Sequence, residues 1–222
     1  INLYDADFYE LDPSGKTSML FHAIPAQLNT KASRYQVGRV INGSRADRLG
    51  KPLSILRESM TTNIAFHSND PSVGLAMNIN PDCFKLYCGD TGLFVTLAFW
   101  ESDFTSNDIY KKMLVDKLSA NLGYVYENIV SQMLVSAGKK LYYHTWYNEN
   151  NTRKYEVDFL IPDGSKISVI EVKSSQSKLH SSIDNFIRKY SARIQQSYII
   201  YTKDMRKDGA IKCIPFYMTP FL

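Results

Sequence analysis

Three charged residues in the second half of this 222-residue chain have types and spacing that could do chemistry: Asp158, Glu171 and Lys173. They sit in YEVDFLIPDGSKISVIEVKSS, Tyr155 to Ser175, which reads as two strands around a tight turn. Tyr155 to Ile161 is rich in β-branched and aromatic residues, Pro162-Asp163-Gly164-Ser165 is turn chemistry, and Ile167 to Lys173 returns as the second strand. Side chains alternate along a strand, so Glu171 and Lys173 share one face and Ile170 and Val172 the other. On the first strand Asp158 goes with Glu156 and Leu160, against an apolar face of Val157, Phe159 and Ile161. Burying both apolar sets requires a register that brings Asp158 beside Glu171, because a slip of one residue would turn one set outward.

Two carboxylates with Cβ atoms about 5 to 8 Å apart repel each other unless something neutralises them. A divalent cation is the simplest remedy. Carboxylate oxygens suit Mg²⁺ or Mn²⁺, which keep several waters and bind through one or two carboxylates. Lys173 points at the same spot, where it could orient or deprotonate a metal-bound water or offset charge on a phosphate. The plainer reading is a β-hairpin carrying an exposed salt bridge.

Asp158, then twelve residues, then Glu171-Val172-Lys173 resembles the PD-(D/E)xK signature of restriction-endonuclease-like nucleases. GYVYEN, YEVDFLI and IEVKSS together are similar to the nuclease-like C-terminal domain carried by many prokaryotic AAA-type ATPases. The resemblance implies Mg²⁺ or Mn²⁺ held by Asp158, Glu171 and the Val172 carbonyl, with Glu127 joining the acids and Lys173 assisting a water. It also implies an ATPase domain upstream as partner, DNA as substrate, and no nucleotide site in this chain. From a different class, the same domain could be a non-catalytic module that binds DNA or protein and regulates the ATPase.

Composition is that of an ordinary globular protein, with 44% hydrophobic and 22% charged residues, and it excludes collagen-like, low-complexity and disulfide-framework classes. No apolar run reaches membrane-spanning length and no signal peptide is visible, which predicts a cytoplasmic chain without membrane contact. Ile1 in place of an initiator Met reads as a piece of something longer. Lys plus Arg number 26 against 22 Asp plus Glu, an excess that permits nucleic-acid binding without arguing for it. Cys83, Cys88 and Cys213 lack CxxC spacing and read as reduced thiols rather than zinc ligands.

The elements that must position these residues divide the chain into a helical, winged-helix-like unit over residues 1–105 and a nuclease-like unit over 106–222. PSGKTS, Pro13 to Ser18, ends like a phosphate-binding loop, but Glu10 stands where that motif needs its first glycine, so Lys16-Thr17 is read as a helix entry. Leu20, Phe21, Ile24 and Leu28 repeat near helical spacing, bounded or kinked by Pro25. A second helical pattern runs from about Ala46 to Phe66, and residues 74–99 turn β-like around GLAMNI and CFKLYCGD. Arg39, Arg45, Arg48, Lys51 and Arg57 are scattered rather than striped, which favours a solvated scaffold over a DNA-reading face. FKLYCGDTGLF, by the resemblance, carries a domain contact.

ESDFTSND, residues 101–108, reads as a polar linker, followed by a long helical pattern from Ile109 to Ala137 with a break near Gly123 and a close at Gly138. Its buried stripe is Leu122, Val125, Tyr126, Ile129, Val130 and Met133, leaving Glu127 at the edge. LYYHTWY, Leu141 to Tyr147, is a strand in which His144 reads as packed. Arg153, Lys154 and Lys178 are the basic residues placed to meet a phosphate backbone. Beyond the hairpin a helix carrying Ile183, Phe186 and Tyr190 leads to strands at Ser197 to Thr202 and Ile211 to Phe216, and a strand, helix, strand order makes the outer pair parallel. The fold class is therefore α/β, mixed α+β: an αβββαβ core with a mixed central sheet, which is also the restriction-endonuclease-like order.

Overall fold

The computed structural model describes residues 1–99, 123–174 and 181–222. The polar linker, the start of the long helix, Leu122 and Lys178 lie outside these described residues. Five helices come first: α1 (Asn2–Leu11), α2 (Lys16–His22), α3 (Ile24–Asn29), α4 (Val37–Val40) and α5 (Gly50–Glu58). The hairpin β1 (Thr62–Ser68) and β2 (Ile79–Cys88) leads to α6 (Thr91–Ala98). The second half gives α7 (Gly123–Ser136), β3 (Leu141–Tyr147), β4 (Lys154–Asp163), β5 (Lys166–Val172), α8 (Ser181–Tyr190), β6 (Ile194–Tyr201), β7 (Arg206–Asp208) and β8 (Ile211–Pro215). The chain is thus mixed α/β, and the order α7-β3-β4-β5-α8-β6 is the one the sequence pattern predicts.

The strands form one eight-stranded mixed sheet in the order β2-β1-β3-β4-β5-β6-β8-β7. β3, β4 and β5 pair antiparallel in sequence, and β6 joins β5 in parallel after α8. The hairpin from the first half of the chain is part of the same sheet, because β1 pairs in parallel with β3. The sheet therefore runs across the expected boundary at residue 105.

Packing on the two faces explains the helix positions. Val130 and Leu134 of α7 pack with Phe159, Ile161, Ile170 and Val172. Ile183 and Phe186 of α8 pack with Val157, Leu160, Ile167 and Val169 on the other face. Each of these large side chains contributes roughly 1.5–3 kcal/mol by leaving water. Phe21, Ile24, Leu49 and Leu56 from the first helices cover Phe84 and Leu86 of β2.

These contacts correct the expected β4 faces. Between His144↔Val157 and Tyr142↔Leu160 the register shifts, so β4 holds one more residue than β3. Such a bulge breaks strict alternation. Phe159 and Ile161 consequently pack with α7, while Val157 and Leu160 pack with α8.

The expected helix over 46–66 also ends early. It stops at Glu58, Met60 takes φ 56°, and Ile64 and Phe66 belong to β1; their even spacing suits a strand, and pairing with β2 decides. TGLFVTLA, read as β-like, is instead helical, because the Asp90 side chain caps it by accepting from Leu93 N at 2.6 Å. Asp12 similarly organises the loop that imitates a phosphate-binding motif, accepting from Thr17 N at 3.0 Å and Thr17 Oγ1 at 2.8 Å. Lys16-Thr17 opens α2 as expected, and Pro25 sits in the first turn of α3.

Helix α7 closes as the sequence predicts. Gly138 has φ 78°, its N–H donates to Val135 O at 2.9 Å and Lys139 N–H to Leu134 O at 3.0 Å, the two bonds of a left-handed glycine stop. Its buried face is turned from the predicted stripe, since Asn128 and Ser131 are fully buried. Asn128 explains this: it accepts from Cys88 N at 2.8 Å and donates to Cys88 O at 3.2 Å, pinning the helix to the end of β2.

Candidate active site

The register of the β4–β5 hairpin pairs Phe159 with Ile170, so the next position opposes Asp158 to Glu171, as the apolar pattern requires. One Asp158 oxygen accepts from Val172 N at 2.7 Å, fixing the carboxylate at the end of β5. Lys173 Nζ donates to Glu171 Oε1 at 2.7 Å. These residues, with Glu127 from α7, line one cavity of about 310 Å³. All four expected site side chains are therefore brought together, and Val172 lines the same cavity.

Lys85 and Tyr87, which sequence reasoning did not single out, and Glu156, which it named only for its parity, complete the cluster. Lys85 of β2 is 5% exposed, forms a short ion pair with Glu156 of β4, and lies 3.8 Å from Glu127. Tyr87 Oη also reaches Glu127, at 3.5 Å. Glu156 was legible, because it shares the Asp158 parity along β4. Lys85 was not, since it stands 71 residues from its partner in a strand with no local sign of function.

The electrostatics follow from four carboxylates sharing a small cavity with two largely buried ammonium groups, Lys85 and Lys173, and Lys31 at the exposed rim. Burial, then repulsion from Asp158, pushes Glu171 up to about 8 against the pull of Lys173. Burial likewise raises Glu127 to about 7, opposed by Lys85 and reinforced by Asp158 and Glu156. Burial alone would lower Lys85, but Glu156 outweighs it with help from Tyr87, Glu127 and Asp158. Lys173 is raised in the same way: Glu171 overcomes its burial. A lysine held more firmly protonated is suited to offset or orient charge rather than to take up a proton.

The donor set fits a hard divalent cation. It is all oxygen, its four carboxyl groups outnumber the two buried ammonium groups, and Glu171 Oε2 is buried without a hydrogen-bond partner among the described residues. Among the described residues no three His, Cys, Asp or Glu side chains gather tightly enough to cage a metal. A cation that keeps most of its waters needs only one or two carboxylates, and Asp158 with Glu171 would supply them.

The remaining candidates divide. Lys154 lies on the Glu156 side of β4 and donates to Ser33 Oγ at 2.6 Å. Arg153 has the opposite parity, sits 5.0 Å over the Tyr155 ring, and donates to Ser181 Oγ of α8 at 3.2 Å. The two do not form one basic patch. His144 is packed, as expected: 4% exposed, stacked on Trp146, bonded to Ser68 O and Tyr190 Oη, and lowered to about 4 by burial.

A mixed α/β chain with an acidic, lysine-bearing cavity at the ends of its central strands is the class that fold and cavity define. Residues 122–218, somewhat under half the chain, are similar to a family described as a domain of unknown function, DUF4143. No curated protein matches the chain. One solved structure is a Thermococcus gammatolerans complex described as a refined half-complex from a tetradecameric assembly of McrB AAA+ hexamers with bound McrC. It overlays at 8% identity on 90% of this chain and 70% of the other, with a TM-score of 0.27, too loose to carry an argument. Among the described residues no helix is long and apolar enough to cross a membrane.

Proposed function

We propose that the chain is a metal-dependent phosphodiesterase acting on DNA, with Asp158, Glu171 and Lys173 as its working residues and Glu127 completing the acid set. The observation that carries this reading is the convergence of those side chains on one cavity in which a Glu171 oxygen has no partner. Asp158 and Glu171 would hold Mg²⁺ or Mn²⁺, with the Val172 carbonyl as a further oxygen. When bound, such an ion makes a coordinated water easier to deprotonate and offsets charge on a phosphate. Lys173, kept protonated by Glu171, would place its positive charge beside the phosphate under attack. Glu127, raised toward neutrality, is suited to exchange a proton near pH 7. An upstream ATPase domain, as the sequence resemblance implies, would then deliver or control the substrate.

The test is cleavage of linear and supercoiled DNA in Mg²⁺ or Mn²⁺, beside Asp158→Ala and Lys173→Ala. Cutting that is lost in both variants, by a factor on the order of 10² or more, supports the enzyme. Absence of cutting by the folded wild type, with DNA or a partner still bound, would establish a non-catalytic regulatory module instead.

A further inference from the structure

A second cavity, of about 610 Å³, lies between the start of β1 and the C-terminal end of α7. It shares none of the acid cluster. Its origin is a mismatch of strand lengths. β1 begins at Thr62, but β3 begins at Leu141, opposite Ala65. Thr62 to Ile64 therefore have no β3 residue in register.

The backbone of this stretch is turned toward the gap. Gly89 N–H donates to Thr61 O, which makes 61 and 89 a bonded antiparallel pair. Bonded and non-bonded pairs alternate, so Asn63 bonds to Tyr87 while Thr62 and Ile64 direct their N–H and C=O groups away from β2. Cys88, opposite Thr62, agrees with this phase, since its N–H points outward to Asn128.

Two further features of the lining point to an occupant. Thr62 is 4% exposed, and its Oγ1 has no hydrogen-bond partner among the described residues. Lys139 and Lys140 stand at the cavity with no Asp or Glu in its lining, joined by Arg57, which is paired with the exposed Glu58. The walls are apolar, through Ile64, Phe66 and Val135, with Met60 83% exposed at the mouth. Methionines serve surfaces that adapt to what docks on them.

We infer that this gap is a docking slot for an extended peptide segment of a partner protein, one that alternates acidic and apolar residues. Its main chain would pair with the Thr62 N–H and C=O and the Ile64 N–H, the Ile64 C=O being taken by Leu141 at the first β1–β3 pair, as in strand addition to an open sheet edge. Its apolar residues would sit on Ile64, Phe66 and Val135, and its carboxylates would meet Lys139, Lys140 and Arg57. The inference is independent of catalysis in the acid cavity.

The experiment uses the full chain and fluorescence anisotropy with a labelled Glu-Val-Glu-Val-Glu-Val peptide. Controls are its Lys-for-Glu counterpart and a backbone N-methylated copy. The acidic peptide is expected to bind saturably and to weaken as salt rises. Lys139→Glu with Lys140→Glu, both away from the core, should weaken it on the order of tenfold, and N-methylation should weaken it as well. Circular dichroism of the double variant checks that it is folded. Absence of saturable binding, equal binding of the lysine peptide, or unchanged affinity in the folded double variant would overturn the inference. Concentration-dependent self-association abolished by that variant would also overturn it, by making a second copy the occupant.

Discussion

At the residue scale the acid cavity stores charge that the fold alone does not satisfy. Above pH 4.5 an unfolded chain releases the Glu171 proton, whereas the folded chain keeps it until about pH 8. Stability contributed by this group therefore falls as pH rises through that window. Glu171→Gln is expected to raise the Tm at pH 8 by roughly 3–8 °C, and calorimetry would show it. Mg²⁺ should raise the Tm of the wild type and leave that of Glu171→Gln unmoved, because only the wild type would hold the ion. A variant that is less stable than the wild type at pH 8 would contradict the strained carboxylate. Lys85 has the opposite role. Lys85→Met leaves Glu156 and Glu127 without their buried cation and is expected to cost about 3–5 kcal/mol in urea unfolding. Adding Glu156→Leu should recover most of that loss.

At the element scale, helix α7 is set by two devices, a glycine stop at Gly138 and an amide clamp at Asn128. The stop was legible because a glycine followed the last periodic apolar residue. The clamp was not, since Asn128 looks like any polar residue beside a predicted apolar stripe, and its partner Cys88 lies in a distant strand. The clamp fixes the rotation of the helix, and that rotation is what aims Glu127 into the cavity. Asn128→Ala should cost about 2–3 kcal/mol, since the Cys88 N–H and C=O both lose a partner, and should lower any metal affinity through Glu127. Unchanged Tm would mean that the clamp is replaceable by water. β4 teaches the same lesson about pattern reading: the hairpin register came from its apolar alternation, but one extra residue moved Phe159 and Ile161 to the α7 side, and no residue type marks where a bulge falls.

At the scale of the whole molecule, the core order of α7 through β6 was visible in periodicity and turn chemistry, as was the convergence of Asp158, Glu171 and Lys173. The membership of β1 and β2 in that sheet was not visible, because parallel pairing between Ala65 and Leu141 spans segments with no shared local signal. This has a consequence for the part of the chain similar to the unknown-function family. A fragment covering residues 122–222 would leave the Leu141–Tyr143 edge of β3 uncovered and remove Lys85 from Glu156. It is expected to aggregate or to unfold at a distinctly lower temperature than the full chain, which light scattering and circular dichroism would report. A soluble fragment with the full chain's Tm would show that the first half is dispensable for folding.

Three residue pairs join β1 to β3 in register, beside bonds from His67 to Thr145 and from His144 to Ser68, while all seven residues of β1 pair with β2 across one irregularity between Phe66 and His67. The sheet thus has a short hinge line, and the Lys85–Glu156 pair bridges it like a latch. Slow deuterium uptake at Phe66 and Tyr143 would report the latch closed. Neutralising Glu156 would quicken uptake on both sides of that line together, before the rest of the sheet responds.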